Sequence, residues 1–180
     1  IEPERFVSRC DYGCFGEVPI ANTPVTQQIE QVQRPDLIDL LIVNGCINDI
    51  GINFVVDPAA DEMLIPPYAQ LACGVWMENM LRAARVRFPQ AWIVVPGYYA
   101  IVSEQSDLFG FEEFVRTQPR LAANPPADFP TNAEQLAADR AASTLQSNLF
   151  RDESRIATQA AIANVEQDLA GPPIVFVDPQ

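Results

Sequence analysis

The chain has 180 residues, 11 basic and 24 acidic, giving a formal charge of −13, and 48% of it is hydrophobic. That length suits a single domain with a sizeable core, and the acidic balance argues against nucleic acid or an anionic membrane as partner, because counterion release needs clustered cations. Every basic residue is Arg; without His there is no imidazole base, without Lys no Schiff base, and a Ser-His-Asp triad cannot be completed from this chain alone.

Residues 1–23 read as irregular. Cys10, Gly13, Cys14 and Gly16 crowd into seven positions, which suggests a stapled loop. Thr23 is placed as a helix N-cap and Pro24 as the first helical residue, with Val25, Ile29 and Val32 forming a short apolar stripe. Pro35 ends that helix and launches the next segment.

Asp36–Gly51 is the stretch around which the rest is organised. Its apolar run, Leu37 to Val43, is broken only by Asp39 and stops at Asn44-Gly45, followed by Asn48-Asp49 and Gly51. Such a run predicts a strand buried on both faces, as in a parallel sheet. The polar residues then fall at its carboxyl edge, where open α/β sheets bind ligands. An ordinary Asn-Gly turn is the competing reading.

Residues 52–67 read as a loop with at most one helical turn. Cys73, Trp76, Met77, Met80, Leu81, Ala84 and Phe88 recur at helical spacing and predict an amphipathic helix closed by Pro89. Arg82, Arg85 and Arg87 fall on other faces near its carboxyl end, where they suit the helix dipole. Ala91–Pro96 is a second buried strand. Tyr98, Tyr99, Ser103, Ser106 and Asp107 follow it, either as a polar loop with packed tyrosines or as a pocket wall above the sheet. Gly97 has no Gly-Lys-Ser sequel and forms no phosphate loop.

From Asp107 to Pro130 the phenylalanines and prolines suggest a partly helical or lid-like excursion. Thr131-Asn132-Ala133-Glu134 has capping-box spacing. Leu136, Leu145, Leu149, Ile156, Ile162, Val165 and Leu169 then carry a helical stripe to Gly171-Pro172-Pro173, as one long helix or two broken near Asp152. Ile174–Val177 is a third buried strand. Alternating helices and strands predict a parallel sheet with helices on both faces. Residues 1–180 form one α/β domain or the carboxyl-terminal portion of one. No apolar run reaches the ~20 residues that span a bilayer.

Asn44-Gly45-Cys46-Ile47-Asn48-Asp49, following a hydrophobic strand, resembles the third conserved block of the SGNH (GDSL-type) hydrolases. Phe88–Tyr99 resembles the fourth strand of that family and its exit. The resemblance covers about residues 24–108, with two residues between Gly and Asn where the family has one. It implies a three-layer α/β/α, flavodoxin-like parallel sheet whose third to fifth strands are present here. It makes Asn48 an oxyanion-hole donor and Gly45 the tight turn beside it. Asp49, Tyr98 and Tyr99 are then placed to contact a small ester or acylated substrate, with no cofactor and no metal. No Gly-Asp-Ser occurs, and Ser8 has the wrong surroundings. The nucleophilic Ser and the His are expected from a missing part of the domain or from another chain. A Gly of the family's second block also donates to the oxyanion; Gly13 or Gly16 is the nearest counterpart.

An ester hydrolase of this type, or a segment of one, is the first functional expectation. A non-catalytic α/β module kept for binding or assembly is the second. Carboxylate chemistry on a sugar is a third, but the spacing of Asp49, Asp107, Glu112 and Glu113 selects no pair. The resemblance and the Lys-free acidic composition suit a secreted protein. Cys46 and Cys73 are expected to pair, as are Cys10 and Cys14; free buried thiols are the alternative. Ile1 in place of Met leaves room for a removed upstream segment.

Overall fold

In a computed structural model the described residues are 25–107, 110–111 and 133–179. The Cys10–Cys14 pair, Ser8, Gly13, Gly16, the Thr23-Pro24 helix start, most of the Asp107–Pro130 excursion and the Thr131 cap lie outside them. Helix α1 spans Val25–Gln31 and buries Ile29. A 3₁₀ turn at Pro35–Leu37 precedes strand β1, Leu40–Ile42. Short helices α2, Ile47–Ile50, and α3, Ile52–Val56, follow. After a 3₁₀ turn at Glu62–Leu64, a continuous helical rod runs as α4, Ile65–Ala69, a π-helical stretch, Gln70–Trp76, and α5, Met77–Arg87. Strand β2 is Trp92–Pro96, helix α6 is Ala133–Asp168 and strand β3 is Ile174–Val177.

The three strands form one parallel sheet in the order β1-β2-β3. Leu40 stands opposite Trp92 and Ile93 opposite Ile174. The first strand is shorter than its apolar run because Pro35 opens a 3₁₀ turn that consumes Leu37. Main-chain bonds nonetheless reach past it, from Trp92 N to Asp39 O (2.8 Å) and from Val43 N to Val94 O (2.9 Å).

Residues 52–67 depart from the expected loop. Val55 and Val56 are buried on α3, and Asp57-Pro58 ends that helix because the residue before a proline avoids helical backbone. Asp61 caps the next turn through Met63 N at 3.0 Å. Pro66 and Pro67 do not break structure: they start the long rod, where no amide proton is needed.

The strands alternate. Ile93, Val95 and Ile174 are buried, and Leu41 and Phe176 pack beside them against α1, α5 and α6. The opposite face is equally apolar and bare: Leu40 57%, Ile42 66%, Trp92 51%, Val175 38% and Val177 46% exposed. The expected burial on both faces is therefore found on one only among the described residues. Periodicity could not reveal this, because a bare apolar face and a covered one have the same letters.

Helix α6 is unbroken at Asp152, and most of the expected stripe packs inward: Ile162 and Val165 are buried, and Leu136, Leu149 and Leu169 lie against the cores. Leu145 and Ile156 are more than half exposed. The inward face mixes apolar Phe150, Ile162 and Val165 with small or polar Ser143, Ser147, Ser154, Ala157, Thr158 and Ala161. Its hydroxyls and amide take up main-chain groups of the helices and loops they touch. Ser143 Oγ donates to Val56 O (2.7 Å), Gln146 Nε2 to Ala60 O (3.1 Å) and Thr158 Oγ1 to Cys73 O (3.4 Å), while Ser147 Oγ accepts from Val102 N (3.2 Å). Small side chains let the helices approach closely, as where Ala157 meets Gly74.

Arg85 is the other surprise. It is 3% exposed and donates to Ala91 O at 2.8 Å, Pro172 O at 2.6 Å and Phe88 O at 3.4 Å. Burial pushes its guanidinium below the usual range, against the attraction of Glu166. It is a clamp between the turns that enter β2 and β3, not part of a solvent-facing Arg cluster.

Candidate functional site at the carboxyl edge of the sheet

Beyond Ile42 the chain turns at Asn44-Gly45, with Gly45 N donating to Asn44 Oδ1 at 2.8 Å. Cys46 then adopts φ 97°, the single non-Gly residue among those described with positive φ. A side chain held in that region costs on the order of 1–3 kcal/mol, and such strain persists where the surroundings over-determine it. Two restraints do so here. The Cys46–Cys73 disulfide, with Cα atoms 5.0 Å apart and a sequence separation of 27, ties the turn to the π-helical stretch. Tyr98 Oη donates to Gly45 O at 2.5 Å and accepts from Ile47 N at 3.4 Å. The pairing expected from the sequence is thus present, and its loop closure is worth about 3–4 kcal/mol in the chain-entropy account.

The turn leads into α2, which carries Ile47, Asn48 and Asp49. Gly51, at φ 91°, ends it in backbone that a side chain would strain. Asn48 is solvent-exposed and makes no side-chain hydrogen bond among the described residues, so its amide can donate to a ligand. Asp49 keeps an exposed surface, yet burial of its carboxyl pushes its pKa up, partly offset by the Cys46 amide. Tyr98 is pushed up to about 12, first by burial and also by the Asp49 charge. Its ring sits 5.4 Å from that of Phe150 on α6. A neutral phenol with both oxygen functions engaged is a strut for the Asn44–Asp49 turn, not a proton carrier at neutral pH.

The predicted site residues therefore divide. Gly45, Cys46, Asn48, Asp49 and Tyr98 converge at the carboxyl edge. Tyr99 faces the other way. Ser103, Ser106 and Asp107 are occupied by their own loop: Ser103 N donates to Ser106 Oγ (3.0 Å), Gln105 N to Ser103 Oγ (3.3 Å) and Gly110 N to Asp107 Oδ2 (2.8 Å).

Sequence reasoning missed a second feature of the same edge. An open cleft of about 550 Å³ lies where β2 and β3 end, lined by Tyr99, Arg151, Asp152, Arg155, Asp178 and Pro179. Arg151 forms a two-pronged bond with Asp152 (3.0 and 3.2 Å), and Arg155 reaches Asp178 at 3.4 Å and Asp152 at 3.7 Å. The Arg151 guanidinium, by its hydrogen bonds, holds the Asp152 carboxyl below its ordinary range. The available signal was an Arg pair one helical turn apart, with an acidic residue directly after the last strand.

Among the described residues no group of three or more His, Cys, Asp or Glu could hold a metal ion, and no helix is long and apolar enough to cross a membrane. No family model, no curated protein and no solved structure matches the chain.

Proposed function

We propose that this chain is an SGNH (GDSL-type) ester hydrolase, or a segment of one, in which Asn48 donates to the oxyanion formed when a small ester or acylated substrate is attacked. The observation that carries the reading is the strained, doubly restrained Asn44–Asp49 turn at the carboxyl end of the first parallel strand. Electrostatic stabilisation needs a donor held in place before charge develops, and the disulfide and Tyr98 supply that rigidity. The nucleophilic Ser and its His base come from outside this chain, as its lack of His requires. A helical layer on the bare sheet face would complete the three-layer α/β/α arrangement, and a further strand would pair the open edge of β1. A disulfide fits a secreted protein.

The bare apolar face also favours a second reading, a non-catalytic module that keeps the fold for assembly with another chain. A p-nitrophenyl acetate assay separates the two, run on this chain, on the longer gene product and on its Asn48→Ala variant. The chain alone should be inactive and the longer product active. Asn48→Ala should lower kcat by about 10²–10³ with KM little changed, because that bond forms mainly in the transition state. Full activity in the variant removes the oxyanion role, and an inactive longer product favours the assembly module.

A further inference from the structure

We propose that the cleft between the ends of β2 and β3 and helix α6 binds a neutral carbohydrate. The inference stands apart from the ester-hydrolase reading; combined with it, the substrate becomes an acylated sugar. Its wall holds two guanidinium groups and two carboxylates, so the cleft carries no net formal charge. An anion entering it would meet Asp152 and Asp178, and a cation would meet Arg151 and Arg155. A hydroxyl group both donates and accepts, and it suits a wall where the two kinds of partner alternate.

Bonding capacity is left over. Each guanidinium has five N–H donors and each carboxylate about four acceptor sites, and the contacts at 3.0–3.7 Å between them use only some. Vicinal hydroxyls match the spacing of such planar forks, and bonds to charged partners are the stronger kind. Exposed ion pairs contribute little to stability, so the network can rearrange around a ligand at small cost. Tyr99 supplies the apolar half. It is 70% exposed beside Pro179, a flat ring on which the C–H face of a sugar can lie. The position agrees as well, since parallel sheets bind ligands outside their carboxyl ends. The cleft flanks the exit of β2 on the side opposite the Asn48 turn: Tyr98 braces one and Tyr99 lines the other.

The test is titration of the whole chain with xylohexaose, cellohexaose and chitohexaose, followed by calorimetry and by saturation-transfer NMR. At least one should bind saturably with a Kd of about 1 mM or tighter. Tyr99→Ala, an exposed position that leaves the circular dichroism spectrum unchanged, should weaken binding about tenfold or more. Asp178→Asn should weaken it too, and inorganic phosphate should not compete. No saturable binding by any of the three sugars, an unaffected Tyr99→Ala variant, or displacement by phosphate overturns the proposal. Sugar binding without ester hydrolysis by the longer product leaves this inference standing and removes the hydrolase reading. Hydrolysis of p-nitrophenyl acetate without sugar binding does the reverse.

Discussion

Tyr98 shows how one side chain can set the shape of a site without reacting in it. Its phenol joins Gly45 O and Ile47 N across the turn, and burial keeps it neutral up to about 12. Tyr98→Phe should cost about 1–2 kcal/mol, since two part-buried main-chain groups lose a partner. The pH dependence follows from the direction of the shift. A group whose folded pKa is raised contributes stability that is complete below its unfolded value, near 10, and that is lost as pH climbs towards 12. Urea midpoints measured from pH 8 to 12 should fall for the wild-type chain above pH 10, with a smaller fall for Tyr98→Phe. Parallel curves would show that Tyr98 titrates normally. The sequence placed Tyr98 at the right edge because strand, Gly and aromatic stand in order. It could not assign the phenol to Gly45, because a bond spanning 53 residues leaves no local trace. Nor could it separate Tyr98 from Tyr99, which differ only in the direction each leaves the chain.

At the scale of elements, Arg85 joins the end of α5 to both strand entries through three carbonyls. Gly171 gives it room, since a Cβ there would lie 2.9 Å from the Arg85 side chain. Arg85→Met keeps the length of the stem but strands those acceptors, and should cost about 3 kcal/mol in chemical denaturation. A loss under about 0.5 kcal/mol, typical of surface substitutions, would mean that water replaces the guanidinium without penalty. Helical spacing identified α5 correctly because Met77, Met80, Leu81 and Ala84 all face the core. On α6 it found Ile162 and Val165 but misplaced Leu145 and Ile156, which lie in solvent, and it could not see the Ser, Thr and Ala that the helix also buries. A hydrophobicity count passes over such small polar positions. The alternation of strands and helices, by contrast, was legible, since parallel pairing demands long crossovers.

For the whole molecule, the imbalance between the two sheet faces is the dominant feature. Parallel strands are ordinarily covered on both sides, yet Trp92 and its neighbours Leu40 and Ile42 are open to solvent. Trp92→Gln should therefore change the stability of this chain by no more than about 0.5 kcal/mol. Trp92 fluorescence should also be quenched freely by acrylamide, measured in a Trp76→Phe background. A destabilisation of several kcal/mol would mean that the face is covered in the protein. A longer chain that supplies the proposed helical layer over β1–β3 should show less of this quenching.

The parallel ladder also dictates the order in which the chain can acquire its structure. β2 is the central strand, and its partners on either side lie tens of residues away, across the helical rod and across α6. No hairpin can nucleate this sheet. Loop-closure entropy is met before any strand pair repays it, and topologies of this kind fold slowly. The helices form early and locally, whereas β3, next to the carboxyl end of α6, can dock only once α6 has been synthesised. The cleft that β3 helps to wall therefore appears later than the Cys46–Cys73 turn, whose two ends lie far closer along the chain.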